Sequence, residues 1–510
     1  GFFFVFWGHH MSKRRLLSSI LLSGMLWSSG CHDYCSSWLS CSIEDMMNTG
    51  SDSGGGDMAI PPGDTPYIRW IPRRIPIATP SIAVLAARLT GDDTVTMEQP
   101  GKPPVTLSYM KTSDTPDGAW VSVNLSWGSF AHGPASIVFS NKNGSSNKVN
   151  TTLVQPAFAS PIGGTSPPAS FTPRSISLGL FNNISNLFVH NPVGDIMWSI
   201  PYMGASFGAF NSQATQLKLA TLPSPLKLVN NGASVFFAIS NGTPAALSRY
   251  IVKGGANYQS APLSFGAPWG MSPISALAGG QLVDGRYLLI IVDNVQVSYT
   301  CIYAPSSDSG TLCLKQTALP ALPSALFVQP LDNMTTQVVA LHAGTASVWS
   351  SDTNGKLTDR TTAAQMSNRK DLLALAVADM DKDGDADLVG LTASSVVVFL
   401  NNGSGVFSEV QTPIPGIASQ TITLGDIDKD GYPDVLLLEK SLGQVITLLN
   451  VSDGTSWGNG RLAGPATTGA QPGVSSALTL DGQDAEGTAR QLLWLNMGGA
   501  AFVAPNTTLP

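Results

Sequence analysis

Seven stretches of this chain open on an apolar residue, at Leu180, Leu228, Leu277, Leu326, Leu375, Ile422 and Leu478, with spacings of 48, 49, 49, 49, 47 and 56 residues. Several openings are near copies of one another (SALAGG, SALFVQ, LALAVA, TITLGD, SALTLD). Each leads through a polar turn to a second apolar run, such as YLLIIVDN, QVVALHAG, DLVGLTAS, DVLLLEKS or RQLLWLN, and some to a third, as in SVVVFLNN and QVITLLNV. A period near 50 with about four short strands per unit is the signature of a β-propeller blade, a unit that cannot bury its own apolar faces and must stack on its neighbours. Seven units predict a seven-bladed propeller over residues 165–510. The last unit holds only about 33 residues, too few for four strands, so residues near Ser166 to Ser177 are expected to supply the missing edge strand and close the ring.

The rest of the chain reads as the same class. No long stretch keeps a helical period, and turn residues, among them 51 Gly and 35 Pro, break the apolar runs every few positions, so the chain is all-β. Residues 81–157 carry the strand candidates IAVLAARL, DTVTMEQ, PVTLSYMKT, AWVSVNLSW, ASIVFSN and KVNTTLVQ, separated by turns such as Asp117-Gly118 and Asn143-Gly144. That number of strands in so short a span predicts a small immunoglobulin-like β-sandwich ahead of the propeller.

Against a background of only 12% charged residues, VADMDKDGDADLVG (Val377 to Gly390) packs five aspartates into nine positions, and LGDIDKDGYPDVLL (Leu424 to Leu437) repeats the arrangement. Counting from Asp379, aspartates stand at positions 1, 3, 5, 7 and 9 with Gly384 at 6; the second loop has Asp426, Asp428, Asp430, Gly431, Tyr432 and Asp434 at positions 1, 3, 5, 6, 7 and 9. Alternating carboxylates with a glycine at the sharp turn wrap several oxygens around one hard cation, and position 7 offers a backbone carbonyl, which allows Asp and Tyr to alternate there. Without a cation the carboxylates repel one another, so ion binding and loop folding are coupled. An EF-hand is excluded, because position 12 is Gly390 or Leu437 rather than Glu and both flanks are β-rich.

In their D-x-D-x-D-G-x-x-D pattern the loops resemble the FG-GAP/VCBS repeat of the integrin α-subunit propeller and of bacterial surface proteins. The resemblance implies a calcium loop between the first two strands of a blade. Carried over, the ligands are Asp379, Asp381, Asp383, Asp387 and the Asp385 carbonyl in one loop, and Asp426, Asp428, Asp430, Asp434 and the Tyr432 carbonyl in the other, for about two Ca2+ in all. Other units keep the strands and have lost the acids. The last has Gly482, Asp484, Glu486, Gly487 and Arg490 at positions 1, 3, 5, 6 and 9; the unit at Leu326 has Gln329, Leu331, Asn333 and Gln337; the unit at Leu277 retains only Asp284-Gly285.

The N-terminal region reads as an address. Residues 1–10 (GFFFVFWGHH) look like an over-extended start; from Met11 follow Lys13-Arg14-Arg15, the apolar run LLSSILLSGMLW and then SSGC, ending at Cys31. A basic segment, a short apolar run and small residues make an export signal over residues 1–30, and the apolar run from Leu16 to Trp27 is too short to span a bilayer comfortably. A cysteine after small residues resembles the bacterial lipobox, which implies lipidation at Cys31, although Ser28 stands where a lipobox has Leu; a plain secretion signal is the alternative. Residues 31–80 are Ser/Gly/Pro-rich and read as a flexible tether. Export places the cysteines in an oxidising compartment, where Cys301 and Cys313, flanking a turn-rich segment between apolar strands, are expected to form a disulfide.

Catalytic patterns are weak. Gly204-Ala205-Ser206-Phe207-Gly208 spells G-x-S-x-G, but the sequence after it lacks the helix a nucleophile elbow needs. His190 and His342 end strands in two different units and read as structural, and no carboxylate pair stands apart from the loops. A net charge of −7 argues against a nucleic-acid partner. The sequence therefore predicts no enzyme but an exported calcium-binding scaffold for a protein or glycan ligand at the cell surface, held to the membrane by the lipid anchor only. A lectin-like propeller is the alternative, which the out-of-phase Trp198, Trp269, Trp349, Trp457 and Trp494 weaken; an exported hydrolase is the third reading.

Overall fold

A computed structural model of the chain describes residues 63–157, the strands alone between 175 and 262, most of 274–470, the strands of 474–505, and Asn506 and Thr508. The export signal, Cys31, the tether up to residue 62, Ser206 in its G-x-S-x-G string, Asp284-Gly285 and the 482–490 loop lie outside the described residues.

The first folded region contains strands β1 (Tyr67–Trp70), β2 (Arg74–Pro76), β3 (Ser81–Ala87), β4 (Thr94–Glu98), β5 (Val105–Leu107), β6 (Tyr109–Thr115), β7 (Gly118–Asn124), β8 (Gly133–Asn141), β9 (Gly144–Ser145) and β10 (Val149–Val154). They form two sheets, ordered β1-β3-β7-β6 and β2-β10-β8-β4-β5, with β9 beside β8. Alternation turns one face of each inward: Ile82, Val84, Ala86, Val121 and Val123 from the first meet Ile75, Val95, Met97, Ile137, Phe139 and Leu153 from the second in one core. Burying each larger side chain contributes about 1.5–3 kcal/mol.

Two sequence expectations change here. Residues 67–76, assigned to the tether, are β1 and β2. Both are edge strands: β1 pairs only β3, and β2 pairs only β10, in parallel. An edge strand tolerates the prolines that made IPRRIPIATP look like linker. The run PVTLSYMKT, read as one strand, breaks at Ser108; β5 stays in one sheet and β6 crosses to the other. The apolar pattern does not register such a corner, because Val105 and Leu107 before it and Tyr109 after it pack against the same core.

From residue 175 onward the described strands group, in chain order, into sheets spanning 175–218 (I), 229–262 (II), 274–318 (III), 325–359 (IV), 374–413 (V), 419–470 (VI) and 474–505 (VII). Sheets I to VI are four-stranded antiparallel meanders and VII has three strands. The repeat-opening residues fall in the first strand of each sheet, apart from Leu228, which directly precedes Val229–Asn230. First strands touch in series from II to VII, and that of VII touches that of I. Sheets stacked around their first strands in this way make a β-propeller. Residues 175–177, expected to complete the last unit, instead pair with Phe188 to His190 inside sheet I.

Burial follows radial position. The second strands Tyr287–Asp293, Thr336–His342, Asp387–Leu391 and Asp434–Glu439 are buried at every residue, being covered on both faces, which is why they read as continuous apolar runs. The outer strand Phe407–Pro413 exposes most of its residues. Between sheets V and VI, Val389, Leu391, Val396 and Val398 pack against Val435, Leu437 and Leu448, and comparable layers join III to IV and IV to V. Cys301 and Cys313, paired across adjacent strands of sheet III with Cα atoms 4.1 Å apart, are joined by a disulfide.

The β-sandwich packs against sheet VI. Trp70 and Leu85 meet Val451 and Ala463, with Trp120 and Trp457 against the cluster. Trp70 Nε1 donates to Asp453 Oδ2 (2.9 Å), and the Arg461 guanidinium lies 3.7 Å from the Trp120 ring centroid. Burial lowers the Arg461 pKa to about 10. Cation–π stacking thus replaces water around a largely buried charge.

Candidate metal centre

Each aspartate loop joins the first and second strands of its sheet, V or VI, and its turn is set by residues in the left-handed region: Lys382 (φ 59°) and Gly384 (φ 97°) in one, Lys429 (φ 66°) and Gly431 (φ 89°) in the other. Glycine adopts this conformation at no steric cost, which accounts for its place at position 6. Position 12 of the first loop, Gly390, lies in the buried second strand, where a Cβ would meet the Leu372 and Phe399 side chains. A ligating glutamate has no room there.

The two loops share one hydrogen-bond pattern. The position 1 carboxylate accepts from the glycine amide, Asp379 Oδ2 from Gly384 (3.1 Å) and Asp426 Oδ2 from Gly431 (2.7 Å). Position 3 accepts from position 5 (3.3 Å in both), and position 5 from position 7, at 2.9 Å for Asp385 and 2.8 Å for Tyr432. Each of these carboxylates thus uses one oxygen on the main chain and turns the other away from it. Asp379 Oδ1 and Asp426 Oδ1 are buried without any hydrogen-bond partner, which costs free energy unless a cation is bound. Oxygens of Asp379, Asp381 and Asp387 lie within 4.8 Å of one another, as do those of Asp426, Asp428 and Asp430. These oxygen-only donor sets suit a hard divalent ion such as calcium.

Residues 379–437 match the FG-GAP-like repeat family. The match runs from the first aspartate of one loop to the end of the other. No curated protein sequence is similar to the chain. Solved structures similar to it include two of BBS1N in complex with ARL6DN, one soaked with mercury and one with lead. They are 12% and 13% identical, cover 69% of this chain and 97% of that one, and have TM-scores of 0.45 and 0.44.

Within the FG-GAP-like repeat, position 9 does work that the spacing did not reveal. Asp387 accepts from the Met380 amide through Oδ2 and from the Asn401 amide through Oδ1, both at 2.7 Å. Asp434 does the same with Ile427 (2.7 Å) and Asn450 (2.8 Å). Both aspartates are fully buried. They staple the loop to the end of the third strand, whatever else they ligate. Asp383 in the first loop and Asp434 in the second stand outside the tight oxygen clusters.

Asparagines at the ends of third strands complete the arrangement and were missed in the sequence. Asn450 Nδ2 donates to Met380 O of the preceding sheet's loop (2.7 Å), and Asn506 Nδ2 donates to Ile427 O (2.8 Å). Asn459 Nδ2 reaches Asp381 Oδ2 (3.1 Å). The available signal was the recurrent Asn closing SVVVFLN, QVITLLN and FVAPN. In sheet IV the acids are absent, and the positions of Gln329 and Gln337 hold a buried amide pair, Gln329 Nε2 donating to Gln337 Oε1 (2.8 Å). His342 is buried, partnered by Ser347 Oγ, and its pKa is lowered by desolvation, as befits a neutral structural residue.

Burial is the leading cause of raised pKa values in both loops, with neighbouring carboxylates adding to it. Asp381 is pushed up to about 6, Asp387 to about 7 and Asp430 to about 7, while Asp379, Asp426, Asp428 and Asp434 are raised as well. A carboxylate with a folded-state pKa above its unfolded value of 3.8 stabilises the fold below that value and loses this contribution as pH rises through the folded pKa. Thermal melts in chelator should therefore fall between about pH 4 and pH 7, and calcium should remove the decline. A flat profile in chelator overturns the electrostatic account. Asp387→Ala, which orphans two buried amides, should cost about 2–4 kcal/mol by chemical denaturation with or without calcium. Asp383→Ala should lower stability only when calcium is present.

Proposed function

We propose that the chain is an exported, calcium-clasped propeller that serves as a protein-interaction or adhesion scaffold at the cell surface. The observation carrying this reading is the pair of aspartate loops, matching in hydrogen bonding and each keeping a buried, unpartnered carboxylate oxygen at the same position. The carboxylates of Asp379, Asp381, Asp383 and Asp387, and of Asp426, Asp428, Asp430 and Asp434, with the carbonyls of Asp385 and Tyr432, would hold the ions. Calcium there supplies charge neutralisation and fixes the loops; it performs no reaction in this reading.

The sheets are proposed to form one seven-bladed ring. The contact between the first strands of sheets VII and I supports closure, as does the hydrogen bond from the Ala157 amide at the end of the sandwich to Thr508 Oγ1 near the end of the chain (3.2 Å). The two-sheet sandwich ahead of it is proposed to be immunoglobulin-like. Export is supported by the residue pattern from Met11 to Cys31 and by the Cys301–Cys313 disulfide, a bond that persists in oxidising compartments.

The decisive experiment presents the immobilised full chain to cell-surface proteins and to a glycan array, each in calcium and in chelator. Capture of a protein partner in calcium, lost in chelator, supports the scaffold; glycan binding alone replaces it with the lectin reading. Cys31→Ser should move the chain from the membrane to the soluble fraction, and unchanged fractionation rules out the anchor.

A further inference from the structure

The two loops differ in what faces their ligand oxygens, and the difference comes from outside the repeat. In the first loop the second oxygen of position 3, Asp381 Oδ2, accepts from the neutral amide of Asn459 (3.1 Å). In the second, the equivalent Asp428 Oδ2 lies 3.1 Å from Arg74 Nη1, and Asp430 Oδ2 lies 3.9 Å from Arg74 Nε. The same Nη1 donates to the Asp428 carbonyl (2.8 Å). Asp426, only 3% exposed, completes the group with its unpartnered Oδ1. Arg74 belongs to β2 of the sandwich, where parallel pairing with Thr152 on β10 fixes its backbone. A strand of one region therefore sets a guanidinium against two of the three oxygens that the second loop keeps for an ion.

We propose that Arg74 is the resident cation of the second loop and competes there with a divalent ion. Two loops of nearly the same sequence then differ in affinity, and the sandwich holds sheet VI partly through the seat an ion would take. The inference rests on the calcium reading of the loops. Arg74 lies against the same oxygens and repels the incoming ion, and at partly buried distances near 4 Å one unit charge shifts affinity by at least about tenfold. The first loop has only neutral Asn459 at the corresponding oxygen and carries no such handicap.

Calorimetric calcium titration of the full chain tests this. The wild-type chain should bind one ion tightly and a second at least about tenfold more weakly. Arg74→Gln, which keeps a donor for the Asp428 carbonyl and removes the charge, should tighten the second site by about tenfold or more, whereas Arg74→Lys should leave it weak. Asp379→Ala combined with Arg74→Gln should retain a single tight site, assigning the gain to the second loop. Two equal wild-type sites unaffected by Arg74→Gln overturn the role of Arg74 and leave the calcium reading standing. No uptake by any of these chains overturns both. Should Arg74→Gln fail to fold, the wild-type chain decides. Asp379→Ala in that background should remove the tight event and leave the weak one, and loss of the weak event instead, or two wild-type sites of equal affinity, overturns the proposal.

Discussion

Like charge crowded into a short turn is the constraint on which this half of the molecule depends. Carboxylates at alternate positions of a tight loop destabilise it when they are left to one another, and burial at the mouth of a sheet makes the cost larger. The surrounding structure answers with main-chain amides, one to each carboxylate at positions 1, 3 and 5 and two to the position 9 aspartate. What the amides leave over is a small set of oxygens aimed at one point. Under the proposed calcium reading, the fold thereby turns a local instability into affinity for a cation.

The sheet architecture makes that bargain possible. Second strands covered on both faces are fixed by apolar packing and by a paired strand on each edge, so the loops entering them inherit rigid anchor points at Asp387 and Asp434. Where the acids are missing, as at Gln329 and Gln337, the same strands persist with an uncharged pair in the loop position. The strands are therefore separable from the aspartates, and a unit can lose its acids without losing its sheet.

Much of this was legible in the sequence because it is periodic. The opening apolar residues mark the first strands, and the D-x-D-x-D-G-x-x-D spacing marks the loops, since both depend on chain-local patterns. The parts that were not legible depend on contacts between distant residues. β1 and β2 hide among prolines because an edge strand needs only one row of hydrogen bonds. Arg74 lies 354 residues from Asp428 and has no spacing to betray it. The position 9 aspartates read as ligands, and only the positions of Asn401 and Asn450 reveal that they also staple the loop. The asparagines themselves recur, but their partners lie in the neighbouring unit, outside any window that treats one repeat at a time.

Those asparagines give the array a direction. The loop of sheet V is held by Asn450 from sheet VI, and the loop of sheet VI by Asn506 from beyond sheet VII. Each of the two aspartate loops is therefore finished by an asparagine from the following unit, and is assembled only after the chain that follows it has been made. During synthesis the first loop would be complete once Asn450 has emerged and the second only after Asn506, so the two loops mature in order from the N-terminal side.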